Sequence, residues 1–391
     1  MISLAEAQQR VLALATLIEV ETVPLHQALG RFTLEHIVAT RSQPARDISA
    51  MDGYALRASD AINRRIVIGE SAAGVPFTGI VQTNEAVRIF TGAALPEGAD
   101  CVVIQENIGR FGNDISFSSP LLPSPGANIR LKGADFRTGD VLIERGQRVT
   151  AARIGLLAAG GHAVVNVRRP VRVALLSTGN ELVPIGTETR PDKLPASNAL
   201  MIAALLADLP TSVADLGIAS DSIAAIAEII SDAQQADIIV TIGGASVGDY
   251  DLVRPALQHL GAHIDFWKVA MRPGKPLLAG QLGTQVILGL PGNPVSAYVT
   301  ALLFLKPLVA HLSGAATPLP ATIRYPLVFD LPANGDRTDH LRATIETNGV
   351  KALSSQDSAG LAALAKADAL IVRQPNAPPA VLGDLVDVIL M

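Results

Sequence analysis

The spacing of apolar positions changes character several times along the chain. Ser3-Leu-Ala-Glu6, followed by apolar residues at helical intervals, predicts a first helix opened by a capping box. Residues 3–40 read as helix with short extended pieces. Between 41 and 139, Gly and Pro cut the pattern into short β-type runs such as Arg65-Ile-Val-Ile-Gly69 and Cys101-Val-Val-Ile-Gln105, which predicts an all-β module. The Ala-rich run over 151–159 returns to helix and is closed by Gly160-Gly161.

From 171 onward strand and helix alternate, the pattern of a doubly wound α/β domain. Residues 171–176 and 236–242 read as strands and 197–209 as a helix. A second helix over 221–235 sets Ile223, Ile226, Ile229 and Ile230 on one face. A helix near 250–260 stops at Gly261, strands follow at 264–269 and 285–290, and a helix starts at Pro294. This unit ends near 313, and Thr317-Pro-Leu-Pro320 is a linker. Beyond it, 341–347 and 350–354 flank Asn348-Gly349 as a hairpin with a two-residue turn. The expected fold class is multidomain α/β. A mixed helical and extended N-terminal domain (1–40 with 140–169) carries an inserted β-rich domain (41–139). A doubly wound α/β domain (170–314) and a C-terminal β domain (315–391) follow.

Composition narrows the function classes. With 49% hydrophobic but 4% aromatic residues, 33 Gly and 25 Pro, the cores must be built from Ala, Val, Leu and Ile. A mean hydropathy of +0.35 raises the question of a membrane. Charges, Gly or Pro interrupt each apolar stretch before the roughly 18–20 residues a span needs, so no membrane is expected. The start lacks the basic region of a secretory signal, and the single cysteine, Cys101, reads as a buried strand residue rather than half of a disulfide. A cytoplasmic protein is expected. A net charge of −5 without a Lys/Arg run argues against nucleic acid.

In an open α/β sheet, ligands bind outside the carboxyl ends of the strands, and the informative loops fall there. Ser177-Thr178-Gly179-Asn180-Glu181 offers hydroxyls and backbone donors to an oxyanion and a carboxylate to a cation, or is an ordinary strand-to-loop turn. Gly243-Gly244-Ala-Ser246-Val-Gly248 is a loop whose glycines let backbone approach a phosphate. Asp249 and Asp251, just beyond it, suggest Mg²⁺ between carboxylates and a phosphorylated ligand, although Asp249 is equally placed to cap a helix. Lys268, Arg272 and Lys275 crowd a loop fixed by Pro273 and Pro276, as a polyphosphate or tetrahedral oxyanion would require and as a solvated basic turn would also allow. Leu290-Pro291-Gly-Asn293-Pro294 is mostly a strand–turn–helix junction. Asp221 is a candidate catalytic carboxylate or a helix cap. His259 and His263 are separated by Gly261 and do not form a metal pair. Neither a dinucleotide fingerprint nor a P-loop occurs, and no nucleophile constellation is visible, so the expected chemistry is positioning and electrostatics.

Together with Asp47-Ile-Ser-Ala-Met-Asp52-Gly-Tyr-Ala55 and Thr91-Gly-Ala-Ala-Leu-Pro-Glu-Gly-Ala-Asp100, these loops resemble the molybdopterin molybdenumtransferase family, of the MoeA and gephyrin E-domain type, over nearly the whole chain. The resemblance implies a homodimer whose site lies between the α/β domain of one subunit and the second domain of the other. Asp52 and Thr91 would face the site from the partner, with Asp135 nearby. Glu181, Asp221, Asp251, Lys268 and Arg272 fall on family functional positions, with Lys275 beside them, and Arg342 and Ser358 match C-terminal positions more loosely. The carboxylates, with Glu181, Asp249 and Asp251 as metal ligands, would handle Mg²⁺ and the adenylate. The cations would hold phosphate and molybdate. Asn180 stands where the family often has Asp, and Arg272 where Lys is common. The implied reaction is Mg²⁺-dependent insertion of molybdate into adenylyl-molybdopterin with release of AMP, and the implied partners beyond the homodimer are the molybdopterin adenylyltransferase and molybdoenzyme apoproteins. The competing readings are molybdopterin adenylylation itself, against which the extra domains argue, and a non-catalytic scaffold of the same fold.

Overall fold

The computed structural model describes residues 1–60, 64–118, 123–187, 190–244 and 252–391. Its central sheet has six strands: β1 Val171–Thr178, β2 Thr211–Ala219, β3 Ile238–Ile242, β4 His263–Phe266, β5 Leu278–Leu282 and β6 Gln285–Leu290. They lie in the order 2-1-3-6-5-4. The strands β2, β1, β3 and β6 are parallel, and β5 and β4 extend the sheet by antiparallel pairing. Every residue of β3 is buried, because helices cover both faces of a parallel sheet and its strands become continuous apolar runs. Alternate residues feed two cores: Val173, Leu175, Val240 and Leu288 point into one, and Ala174, Leu176, Ile239 and Ile287 into the other.

The helices α1 Ser197–Leu206, α2 Ile223–Asp232 and α3 Val253–His259 follow β1, β2 and β3 in the chain. Of the four isoleucines expected on one face of α2, Ile226 and Ile230 are buried, Ile229 is half-buried and Ile223, in the first turn, is exposed. Residues 171–176 and 197–209 were expected as strand and helix; the strand continues to Thr178 and the helix stops at Leu206. The β2 and β5 strands were not read from the sequence, and the strand expected over 264–269 spans His263–Phe266.

The segment from Pro294 to Leu312 is one continuous 19-residue helical run, long and apolar enough to cross a membrane by length and composition. A charge and a proline do interrupt its apolar sequence, as expected, but they do not end the helix. Lys306 and Pro307 lie inside the run, but Pro307 follows a π turn over Ala301–Leu305, where the ordinary hydrogen-bond ladder is already rearranged. Most of the run is buried, which makes it a core helix of the α/β unit.

The first helix, Leu4–Ala13, has the Ser3 half of the expected capping box, with Ser3 Oγ accepting from the Glu6 amide, while the Glu6 carboxylate accepts from Arg10. Its buried face, Ala7 and Val11, packs into the α/β core rather than with the extended pieces that follow it. Arg10 fixes it there through two hydrogen bonds to the Asp265 carboxylate, at 2.8 and 2.7 Å. Val20–Pro24 pairs with Val164–Arg168, and Ile37–Val38 with Val141–Ile143. Residues 38 and 141 are therefore neighbours, and the chain between them leaves and returns at one place. That excursion holds a six-stranded sheet that includes Gly53–Leu56, Arg65–Ser71 and Cys101–Ile104. Cys101 is fully buried there, and burial pushes its thiol up to about 12.

The C-terminal sheet is built on Thr338–Glu346, Ala369–Arg373 and Leu385–Leu390, and it also takes in the short strand Met271–Arg272 from the basic loop. In the hairpin, Glu346 pairs with Gly349, so the turn is Thr347-Asn348 and lies one residue earlier than expected. Gly349 serves a different purpose: at φ +145° a Cβ there would stand 2.1 Å from the Pro326 carbonyl oxygen.

His340 lies within this sheet, 2% exposed, and among the described residues neither ring nitrogen has a hydrogen-bond partner. Burial pushes its imidazole down to about 4, from an ordinary value of 6.5. Between those values the unfolded chain binds the proton more readily, so stability is full above 6.5 and falls as the pH drops toward 4. The full effect is of the order of 3 kcal/mol at about 1.4 kcal/mol per unit. Denaturant midpoints of wild type and His340→Leu should therefore diverge in favour of the variant between pH 7 and pH 4.5, and parallel curves would show that this histidine does not titrate with folding.

Candidate active site

Strand order reverses between β1 and β3, since the chain steps from β1 outward to β2 and then back across β1. Crossovers on opposite faces leave a crevice at such a point. A cleft of about 850 Å³ opens there, lined by the ends of β1, β3 and β6.

From the end of β1 come Ser177, Thr178, Gly179 and Glu181. A Cβ on Gly179 would lie 2.5 Å from a Glu181 carboxylate oxygen, so only glycine lets that side chain fold back over the turn. Among the described residues the Glu181 carboxylate accepts no hydrogen bond, and it is exposed to the cleft. Asp221, after β2, is not the helix cap that its sequence position suggests. The cap position of α2 is Ser222, whose side chain makes no capping bond, and Asp221 makes a reciprocal pair with Asn180. The Asn180 amide donates to Asp221 Oδ2, and the Asp221 amide donates to Asn180 Oδ1, both at 3.1 Å. Lys193 Nζ donates to the Asn180 carbonyl at 2.6 Å from a strap in which Leu194 and Pro195 pair with Leu182 and Val183.

Gly243 and Gly244 line the cleft at the end of β3. At φ +95° a Cβ on Gly243 would meet the Thr178 carbonyl oxygen at 2.7 Å, so the two turns can touch only with glycine there. The expected row of free backbone donors is incomplete: the Gly243 amide donates to the Leu290 carbonyl and the Gly179 amide to Ala219. The remaining candidates of this loop, Ser246, Gly248, Asp249 and Asp251, lie outside the described residues.

Pro291 and Asn293 line the cleft after β6. Asn293 Nδ2 donates to Ser358 Oγ at 3.2 Å, and the Ser358 carbonyl accepts the Val295 amide at 3.0 Å. Ser358 thus satisfies the start of the helix beginning at Pro294, and its neighbour Ala359 reaches the cleft. Arg342 is elsewhere. It is 1% exposed, and its guanidinium donates to the carbonyls of Asp357 and Ser355 at 2.8 and 3.0 Å. In this arrangement it holds the loop that carries Ser358 and does not face a ligand. Asn198 is a cleft residue that the sequence reading did not single out. Its Nδ2 donates to the Gly292 carbonyl at 2.7 Å, and its only sequence signal was a place in the first turn of α1.

Of the basic loop, Pro276 reaches the lining while Lys268, Arg272 and Lys275 stand outside it. The Val269 amide donates to the Lys275 carbonyl and closes the loop on itself, and Arg272 pairs with Asp339 at 3.3 Å. Asp52, Thr91 and Asp135 do not line the cleft of their own chain. Asp52 and Thr91 are nevertheless joined: the Thr91 amide and hydroxyl both donate to Asp52 Oδ1, at 2.7 and 2.8 Å. The Thr91 amide, with the hydroxyl second, holds the Asp52 carboxyl below its ordinary range. Asp135 is exposed. Among the described residues no three acidic, histidine or cysteine side chains cluster as a metal site.

Comparison with known proteins follows the whole length of this architecture. Residues 2–161 match the MoeA N-terminal region (domain I and II), 174–311 a probable molybdopterin binding domain, and 324–391 the MoeA C-terminal region (domain IV). The chain is 40% identical over 299 residues to a molybdopterin molybdenumtransferase of Haemophilus influenzae, covering 76% of this chain and 74% of that protein. It is 33% identical to one of Staphylococcus aureus, covering 100% and 95%. A solved structure of a molybdopterin biosynthesis MoeA protein from Pyrococcus horikoshii superposes with a TM-score of 0.83 at 27% identity, covering 100% of this chain and 99% of that one.

The Asp52–Thr91 contact makes its own prediction. In Thr91→Val the hydroxyl donor is lost and the amide donor stays, so the Asp52 carboxyl should titrate higher than in wild type while remaining ionised at neutral pH. Site-resolved NMR titration of that carboxyl reads the shift, and an unchanged midpoint would mean that the hydroxyl does not hold the charge.

Proposed function

The chain belongs to the molybdopterin molybdenumtransferase family of the MoeA type, enzymes of molybdenum cofactor biosynthesis, and we propose that it inserts molybdate into adenylyl-molybdopterin at the strand-end cleft with release of AMP. The observation that carries the reading is the pair of carboxylates, Glu181 and Asp221, brought from neighbouring turns onto one cleft. Bonding of both pterin thiols to molybdate expels one oxygen as water, which takes both thiol protons, and hydrolysis of the phosphoanhydride consumes one water and leaves AMP and the pterin phosphate. Glu181, exposed to the cleft, is suited to accept one of these protons and pass it to the departing oxygen. Asp221, clamped by Asn180, holds its charge at a fixed distance from the β1 turn. Lys268, Arg272 and Lys275, on the loop whose Pro276 lines the cleft, would attract the phosphates and molybdate.

The donor chemistry of this corner suits Mg²⁺, a hard ion that takes oxygen ligands. Glu181 would hold it together with Asp249 and Asp251, which lie outside the described residues, and when bound it would offset the charge of the phosphates. Because Asp52, Thr91 and Asp135 do not line the cleft of their own chain, their participation calls for a second copy, and we include a homodimer in the proposal. A cytoplasmic setting, with the molybdopterin adenylyltransferase and molybdoenzyme apoproteins as partners, completes it.

The test is molybdate-dependent AMP release from adenylyl-molybdopterin and Mg²⁺. Glu181→Ala and Asp52→Ala should each lower the rate by about a hundredfold, the scale of losing a positioned acid or base, while the oligomeric state and unfolding curve stay those of wild type. Full activity in both variants would overturn the assignment.

A further inference from the structure

We propose that Trp267, framed by Arg254 and Lys268, is the platform on which the purine ring of the adenylylated substrate stacks, an inference that rests on the transferase reading above. Trp267 is the only tryptophan of the chain and one of few aromatic residues in it. It is 41% exposed and, with Phe111 and Phe329, one of three exposed aromatic side chains among the described residues. The Arg254 guanidinium, from α3, stands 4.2 Å from the centre of the indole, and Lys268 Nζ stands 5.8 Å from it. A flat ring with accessible surface and two adjacent cations is the arrangement that takes an aromatic group carrying negative charge, since the ring stacks and the cations meet the phosphate.

Position connects this platform to the cleft. Trp267 follows β4, which is antiparallel to β5 as β5 is to β6, so β4 runs with β6 and ends at the same edge of the sheet. Two strand spacings of roughly 4.8 Å separate the ends of β4 and β6. The hydrogen bond from the Val269 amide to the Lys275 carbonyl sets the two limbs of the basic loop side by side. Lys268 therefore lies next to the limb whose Pro276 lines the cleft. An adenylylated pterin carries two flat ring systems joined through phosphates. With one ring in the cleft over β1, β3 and β6, the phosphates cross the basic loop and the second ring arrives at Trp267. A purely structural indole would instead tie α3 to the loop and have no bearing on nucleotide affinity.

Because the chain has one tryptophan, its fluorescence reports this position alone. The full-length protein is titrated with AMP, adenosine and ribose 5-phosphate, with excitation at the red edge where the purine is transparent. AMP and adenosine should quench saturably and ribose 5-phosphate should not. By calorimetry, Trp267→Ala should weaken AMP about tenfold, within the range of a lost aromatic–base stack, while Trp267→Phe keeps most of the affinity. Equal quenching by ribose 5-phosphate, or unchanged AMP affinity in Trp267→Ala, overturns the platform. Molybdate-dependent turnover by wild type without quenching by AMP also overturns it and leaves the transferase reading standing. Saturable quenching by AMP and adenosine in a protein with no turnover supports the platform and counts against that reading.

Discussion

Parallel strands all end on the same edge, and reversing their order between β1 and β3 prevents the crossovers from covering that edge. The rest of the site depends on this gap. Backbone polar groups at the strand ends lose their sheet partners there, so the loops must satisfy them or present them to a ligand. Ser177 and Thr178 arrive at the gap because β1 is long, and Gly243 arrives because β3 beside it stops at Ile242. Without the reversal, the same side chains would lie under a helix.

Around the gap, elements distant in sequence hold one another's turns. Asn180 and Asp221 exchange hydrogen bonds across the turns after β1 and β2, and Lys193 closes the first from outside. Ser358 completes the helix beginning at Pro294, while Arg342 braces the loop on which Ser358 sits. Each contact fixes a turn before any ligand arrives, so binding energy need not be consumed in ordering the protein. The cleft carries few charges of its own, and of the basic loop only Pro276 lines it.

Sequence pattern disclosed the parts whose physics is local. The Ser3 cap, the buried Ile226 and Ile230 of α2 and the apolar run of β3 were all readable, since each follows from periodicity or from a residue's own hydrogen-bonding habit. The β2 strand was not, because it is an edge strand whose residues are mostly half-buried or exposed and lack a clean apolar period. Asp221 resembled a helix cap because its true partner lies 41 residues away. The Asn348-Gly349 pair marked a hairpin correctly but misplaced its turn by one residue, since that glycine answers to the Pro326 carbonyl. Arg342 suggested a ligand contact for a similar reason: a sequence does not show that a guanidinium ends on carbonyls of its own chain. Among the cleft residues, those on strand-end glycine turns were legible, whereas Asn198 had only a helix start to announce it.

The short strand Met271–Arg272 has a consequence for how the basic loop can change over evolutionary time. Two of its residues are a strand of the C-terminal sheet, in register with Thr338 and Asp339. A one-residue insertion or deletion in that strand would slip the register and turn buried Met271 outward and Arg272 inward. Loops of this kind usually drift freely in length. Here the length is locked by a neighbouring sheet, and the spacing between Lys268, Arg272 and Lys275 is inherited with it. Substitution at these positions leaves the register unchanged, whereas insertion or deletion does not.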